Sequence, residues 1–241
     1  MNALGGGGGA NLPTGALHHY DFSDDANLTL SGSEITAVAD LGTTGSSLAP
    51  RTAGERPTNT GTINSVQAAD FDGADSLFGT LNSYFGGSDQ PFTVAIVAQD
   101  DVASGAADLV AFNSSGSANP YYDFRSQTGT GGFNFGKRDT SGTLKTATGG
   151  TPNTSPHVFL YWSNGTTVSL EVDGVSIFSG TDINVVGSTG VNRLSLGVWY
   201  QVSSLFNYLN GKIGEVVIYG TELSSGDRTD LKSFLNAKWG F

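Results

Sequence analysis

The feature that most constrains this sequence is the recurrence of short segments in which apolar and polar residues alternate. About a dozen such segments follow one another along the chain, each closed by turn residues. Glycine is spread over the whole length, often in Asn-Gly, Asp-Gly and Gly-Gly pairs, as hairpin turns require. Because successive side chains of a strand point to opposite faces, this alternation indicates half-buried sheets. The sequence therefore predicts an all-β fold, a two-sheet antiparallel jelly-roll sandwich.

The C-terminal segment departs from this pattern. Ser224 is a candidate N-cap, Asp227 places an acid in the following turn, and Leu231, Phe234 and Leu235 follow at helical spacing. This predicts one α-helix over residues 225–238, whose apolar stripe lies on the outside of the sandwich or along a sheet edge. We accordingly assign residues 1–15 to a Gly-rich N-terminal arm and residues 16–241 to the sandwich with its helix.

Charge and composition exclude several kinds of partner and site. Eleven Lys and Arg against 22 Asp and Glu give a formal charge of -11, which repels phosphate backbones and anionic lipid surfaces. We therefore expect neither nucleic acid nor a membrane as a partner. The chain has no Cys, which removes disulfides, thiolate nucleophiles and Cys-ligated zinc. No apolar run approaches the roughly 20 residues of a membrane span.

The first ten residues, MNALGGGGGA, lack the basic and apolar regions of a secretory signal. With Met1 as the native start, ordinary secretion is disfavoured. The glycine run follows no strand and precedes no Lys-Ser/Thr pair, so it does not indicate a phosphate-binding loop. Two interpretations stay open, a flexible linker and an arm that lies on a neighbouring subunit. The second predicts a homo-oligomer such as a trimer.

Three stretches resemble one family. Residues 209–240 (LNGKIGEVVIYGTELSSGDRTDLKSFLNAKWG) resemble the closing strand and helix of concanavalin A-like, laminin-G-like jelly rolls of bacterial and bacteriophage proteins. Residues 17–40 resemble the opening strand and loop of these domains, and residues 158–179 resemble their central hairpins. The resemblance implies this fold and a habit of binding glycans. Its motifs consist of turn and core residues, so it carries over no ligand site.

Catalytic motifs are incomplete in this sequence. Sandwich glycosidases, which resemble this fold, set carboxylates along a strand as Glu-x-Asp-x-x-Glu. Glu171 and Asp173 begin that pattern, but Ser176 stands where the third carboxylate would fall. No Gly-x-Ser-x-Gly motif occurs, and the adjacent His18 and His19 point to opposite faces of a predicted strand, so they cannot hold one ion together. We expect no catalytic residues and predict that the protein is not an enzyme.

Three aspartates form the candidate metal site. Asp70, Asp72 and Asp75 cluster around Gly73, and carboxylate oxygens are ligands that calcium prefers. The spacing does not match an EF-hand, and Asp72 with Gly73 suits a plain turn equally well. We therefore expect no cofactor other than a structural calcium ion at these three residues, with the turn as the alternative.

Strand alternation also selects candidate ligand-binding residues. In residues 121–125 and 193–200, which we predict to be strands, every second side chain suits the core. The side chains left on the opposite face, with one from the strand at 132–137, are Tyr121, Asp123, Arg125, Asn134 and Trp199. If these strands are neighbours, the five residues form a mixed polar and aromatic surface that suits the hydroxyl edge and C–H face of a sugar. The alternative is that loops or another subunit cover this face.

These observations favour three functions in order. The first is a non-enzymatic bacteriophage virion protein, a capsid decoration or a head- or tail-attached adhesin that binds glycans. It would contact other virion proteins through its N-terminal arm and reside in the virion after assembly in the host cytoplasm. The alternative is a secreted or surface-bound bacterial carbohydrate-binding module, located outside the cell. The third is a glycosidase-like enzyme.

Overall fold

The computed structural model describes residues 11–102, 105–127, 131–202 and 204–241, and for Gln127 the backbone alone. The N-terminal arm predicted at residues 1–15 therefore lies largely outside the described residues. The strands in chain order are β1 (His18–Asp21), β2 (Leu28–Ser31), β3 (Glu34–Val38), β4 (Thr58–Ile63), β5 (Val66–Asp72), β6 (Leu77–Thr80), β7 (Phe92–Asp100), β8 (Ala107–Asn113), β9 (Tyr121–Gln127), β10 (Phe133–Arg138), β11 (Leu144–Gly149), β12 (His157–Ser163), β13 (Thr167–Val172), β14 (Val175–Asp182), β15 (Arg193–Leu196), β16 (Trp199–Gln201), β17 (Ser204–Phe206) and β18 (Asn210–Tyr219). Three 3-10 turns span Asp25–Asn27, Ala53–Glu55 and Ser83–Gly86, and one α-helix, α1, spans Ser225–Trp239.

These strands form two antiparallel sheets and one short hairpin. The large sheet has the order β14-β13-β12-β7-β18-β5-β4-β3-β2, with β1 paired to the second half of β18. The small sheet has the order β11-β10-β9-β8-β15-β6, and β16 pairs only with β17. The predicted all-β, two-sheet antiparallel sandwich is confirmed.

The core lies between the inner faces of the two sheets and is rich in aromatic side chains. Phe92 of the large sheet contacts Phe124 and Phe135 of the small sheet, with ring centroids 5.6 and 5.8 Å apart. Tyr161 lies 5.1 Å from Phe124 and donates its hydroxyl to the Asn134 carbonyl at 3.2 Å. The prediction that alternate residues of β9 and β10 face inward is confirmed, because the core cluster between the sheets contains Tyr122, Phe124, Phe133 and Phe135.

Helix α1 confirms the predicted C-terminal helix and extends it by one residue, to Trp239. Ser224 Oγ accepts a hydrogen bond from the Asp227 backbone N–H at 3.1 Å, so the predicted N-cap is present. Leu231, Leu235 and Trp239 are buried against the outer face of the large sheet, where they form a second apolar cluster with side chains of β7, β12 and β18. In the described part of the chain, no helix has the length and apolar character that crossing a bilayer requires.

One predicted strand is divided in the structure. Residues 193–200, predicted as one strand, form β15 and the start of β16, with Gly197 between them at a φ of 74°. A Cβ at Gly197 would lie 2.5 Å from the ring of Phe71 on the opposite sheet. The chain therefore turns at a position that only glycine fits, and β16 leaves the small sheet to pair with β17.

Candidate functional site

The outer face of the small sheet is the surface that points away from the core. Cross-strand pairing places its side chains in three rows. The first row contains Arg193, Asn113, Tyr121 and Arg138. The middle row contains Ser195, Ala111, Asp123, Gly136 and Thr146. The third row contains Asp108, Arg125, Asn134 and Thr148.

The middle row of this face is formed by small residues on either side of Asp123. Ala111 and Gly136 flank Asp123 on the neighbouring strands. A Cβ at Gly136 would lie 2.1 Å from Asp123 Oδ1, so the carboxylate occupies the space that any larger residue would fill. We use the term trough for this part of the outer face, the surface formed by the three rows.

One arginine links two carboxylates at the base of the trough. Arg125 donates from Nη2 to Asp123 Oδ2 at 2.7 Å and from Nε to Asp108 Oδ1 at 3.1 Å. Asn207 donates to the second oxygen of Asp108 at 2.7 Å. Burial raises the pKa of both carboxyls, and the Arg125 charge opposes that rise. This arrangement fixes the side chains, since breaking a buried pair leaves a charge without compensation.

Aromatic rings form the wall of the trough. The rings of Tyr121 and Trp199 lie 4.8 Å apart, and the ring of Phe206 lies 5.4 Å from that of Trp199. Trp199 and Phe206 face each other across the β16–β17 hairpin. The hairpin packs beside β8, and its Trp199 ring lies over Tyr121 at the start of β9. Phe206 is 42% exposed, so the aromatic row extends from the buried base to solvent.

Four buried polar atoms on this face have no hydrogen-bond partner within the described residues. Three are acceptors, Oδ1 of Asn113, Asp123 and Asn134, and one is a donor, Nε1 of Trp199. The rest of each amide is anchored, because Nδ2 of Asn134 donates to Thr148 Oγ1 at 2.7 Å and Nδ2 of Asn113 donates to Ser195 Oγ at 3.0 Å. An unpaired buried polar atom costs about 1–3 kcal/mol, so this face carries polar groups that the packing of the described chain does not satisfy.

The structure brings together all five residues predicted for ligand binding. Tyr121, Asp123 and Arg125 lie on β9, Asn134 pairs with Arg125 from β10, and Trp199 stacks on Tyr121. They do not form an open platform, because Asp123 is 2% and Asn134 is 3% exposed. The β16–β17 hairpin contacts the face through Trp199, and the loop after β17 contacts it through Asn207. These contacts agree with the alternative predicted from the sequence, in which loops cover this face.

Sequence reasoning missed three contributors to this face. Asp108 and Asn113 flank the apolar segment 109–112, and they belong to the ends of a longer strand, β8. Gly136 gave no sign of its role, because its importance depends on the carboxylate of the neighbouring strand. The polar residues bounding a buried strand were the one available signal for Asp108 and Asn113.

The three aspartates predicted to bind calcium lie elsewhere, on a cavity of about 670 Å³ at the end of the large sheet. The Asp72 backbone N–H donates to Asp75 Oδ2 at 2.9 Å, and Asp70 lies 3.9 Å from Lys212 Nζ. Burial, and the neighbouring charges of Asp72 and Asp70, raise the pKa of Asp75 to about 6. Within the described ranges, no three His, Asp or Glu side chains are arranged to hold a metal ion. Calcium binding at this cavity stays a prediction.

The other residues considered for catalysis have structural partners. Glu171 accepts a hydrogen bond from Lys232 of α1 at 2.5 Å, and Asp173 accepts one from the Val158 backbone N–H in the turn before Gly174. His18 Nδ1 contacts Asp40 at 2.9 Å, whereas His19 Nε2 contacts Glu215 at 2.7 Å on the other face of β1. The prediction that these two histidines serve different faces agrees with these contacts.

Comparison with solved structures identifies the fold. This chain superposes on domain 4 of AbnA with a TM-score of 0.65 at 17% identity. AbnA is an extracellular GH43 arabinanase of Geobacillus stearothermophilus, and the structure of the domain was solved in complex with arabinotriose. The alignment covers 90% of this chain and 98% of that domain. The fold is a concanavalin A-like sandwich.

Two further structures superpose on this chain over part of their own length. The binding domain of Paraclostridial Mosquitocidal Protein 1 superposes with a TM-score of 0.60 at 13% identity, covering 92% of this chain and 52% of that one. Trypanosoma rangeli sialidase in complex with the inhibitor DANA gives a TM-score of 0.61 at 13% identity, covering 94% of this chain and 34% of the sialidase. No protein-family model matches the sequence, and no curated protein matches it.

Proposed function

We propose that this concanavalin A-like domain is a carbohydrate-binding module that binds a glycan in the trough of the small sheet. The observation that carries the proposal is the aromatic row of Tyr121, Trp199 and Phe206, which reaches solvent at Phe206 and lies beside four polar atoms without a partner in the described chain. A sugar hydroxyl both donates and accepts hydrogen bonds, so hydroxyl groups suit three acceptors and one donor at once. The C–H face of the same sugar suits the rings of Trp199 and Phe206.

Binding rather than catalysis fits the carboxylates of this site. The usual glycosidase mechanism needs two carboxyl groups on opposite sides of the scissile bond. Asp108 and Asp123 instead bind the same guanidinium, that of Arg125. They therefore support a non-catalytic role in fixing the floor of the trough.

The alternative function predicted from the sequence, a bacterial module acting outside the cell, has the better support. Domain 4 of AbnA belongs to an extracellular enzyme and was solved with arabinotriose. None of the compared structures described above is a virion protein. The virion location, the contacts with other virion proteins and the assembly through residues 1–14 stay predictions from the sequence.

A glycan array followed by calorimetric titration tests the proposal. We expect the intact chain to retain at least one oligosaccharide, with arabinotriose as the first soluble probe. Trp199→Phe removes an indole N–H that has no acceptor among the described residues and keeps a ring, so we expect affinity to fall about tenfold without loss of stability. Trp162→Phe, on the large sheet, is the matched control and leaves affinity unchanged. Absence of binding across the array, or equal effects of the two variants, would contradict the proposal.

A further inference from the structure

A second cavity, of about 200 Å³, lies at the β6 end of the outer face and differs from the trough in its chemistry. Its lining residues are Ala49, Pro50, Arg51, Phe78, Arg193 and Tyr200. The cavity contains two guanidinium groups and no carboxylate among these residues. It is smaller than the roughly 300–1,000 Å³ of a typical ligand pocket, so it suits one small group of a larger ligand.

Arg193 is held in place by an aromatic ring. Its guanidinium carbon lies 4.2 Å from the ring centroid of Tyr200, and that ring meets Phe78 edge-on at 5.5 Å. Stacking of this kind leaves the N–H groups at the edge of the guanidinium free to donate. Within the described chain, the Arg193 side chain has no hydrogen-bond acceptor and no acidic partner. This is a preorganised cation in a protein whose formal charge is -11.

Arg51, the other arginine of the cavity, differs from Arg193 because it has an acidic partner. Its Nε and Nη2 donate to Glu55 Oε1 at 3.2 and 2.8 Å, which neutralises its charge. Arg193 therefore supplies the net positive charge. A guanidinium with free edge donors matches the two oxygens of a carboxylate, and it also binds the oxygens of a sulfate ester.

The cavity adjoins the trough at Arg193, a residue of the first row. Arg193 pairs in register with Asn113, whose Oδ1 is one of the unpaired acceptors, and Tyr200 directly follows Trp199. We propose that the cavity is an anion subsite, which selects glycans with an acidic sugar unit next to the unit bound in the trough. This inference rests on the proposed function and narrows it to one substrate class, sugars that bear a carboxylate or sulfate group.

Titration of the intact chain with three monosaccharides tests the subsite. The probes are galacturonic acid, its methyl ester and galactose 6-sulfate. Binding of each probe is monitored by NMR of the arginine side-chain N–H signals. We expect galacturonic acid to shift the Arg193 signal and to bind about tenfold more tightly than its ester, because the ester lacks the charge. If the sulfate binds more tightly than the carboxylate, the acidic group is a sulfate ester and the subsite stands.

Substitutions separate this subsite from the glycan site as a whole. Arg193→Gln should abolish the preference for the acid over the ester, whereas Arg228→Gln, which removes an arginine stacked 4.4 Å from Trp162, should leave the preference unchanged. Equal affinity of the parent chain for acid and ester would overturn the anion subsite. The anion subsite would also be overturned if none of the three probes shifts the Arg193 signal. Retention of neutral oligosaccharides on the array in either case would leave the proposed function intact.

Discussion

Gly136 allows the carboxylate of Asp123 to lie in the trough. Since a Cβ at Gly136 would come within 2.1 Å of Asp123 Oδ1, we expect Gly136→Ala to displace that carboxylate. Glycan affinity should fall about tenfold, through loss of a charged acceptor. Calorimetric titration with the oligosaccharide retained on the array measures this change. Gly54→Ala, whose Cβ would meet nothing within 4 Å, is the control. An unchanged affinity in Gly136→Ala would show that Asp123 does not contact the ligand.

Asp40 links acid stability to one buried contact network. Burial alone would raise its pKa, but hydrogen bonds from His18 Nδ1, the His19 backbone and Thr44 lower it to about 2. A carboxyl with a lowered folded-state pKa stabilises the protein above its unfolded pKa of 3.8, and this contribution is lost as the pH falls toward 2. The shift corresponds to roughly 2 kcal/mol.

The pH dependence of an Asp40 variant tests this assignment. We expect Asp40→Asn to lower the free energy of unfolding by about 2 kcal/mol at pH 7, and the difference from the parent chain to narrow as the pH approaches 2. Urea unfolding at both pH values measures the two differences. A difference that stays the same at both would show that the Asp40 charge is not the cause.

Helix α1 is fixed to the large sheet by its last residue. Trp239 is fully buried, and its Nε1 donates to Glu215 Oε2 at 2.8 Å. Gly214 permits this contact, because a Cβ there would lie 2.5 Å from the indole ring. We expect Trp239→Ala to lower the free energy of unfolding by about 3–5 kcal/mol, by deleting a large buried ring. Phe234→Ala, at a partly buried position of the same helix, should cost less, and equal costs in urea unfolding would contradict this packing.

The predictability of each element follows from whether its signal is local. Helix α1 has its cap, first-turn acid and apolar spacing within one segment, so the sequence predicts it to within one residue. The inward and outward faces of β9 and β10 follow from alternation alone. The β16–β17 hairpin has strands of three residues, too short to show a period, and its start depends on a contact between Gly197 and the distant Phe71. The trough likewise depends on which strands are neighbours, and this cannot be read from any one segment.

At the scale of the whole molecule, the sequence predicts that the N-terminal arm mediates assembly. Light scattering of the intact chain and of a chain lacking residues 1–14 tests this. We expect the intact chain to have the mass of an oligomer such as a trimer, and the shortened chain to have the mass of a monomer. Equal masses would contradict an assembly role for the arm without affecting the trough.

The most direct test of the glycan-binding account uses the three tryptophans of the chain, Trp162, Trp199 and Trp239. Each gives one indole N–H signal in a ¹⁵N NMR spectrum, and only Trp199 lies in the trough. On titration with an oligosaccharide retained on the array, we predict that the Trp199 signal shifts and saturates while the other two stay in place. A bound oligosaccharide that leaves the Trp199 signal unchanged would place the binding site elsewhere and contradict the account.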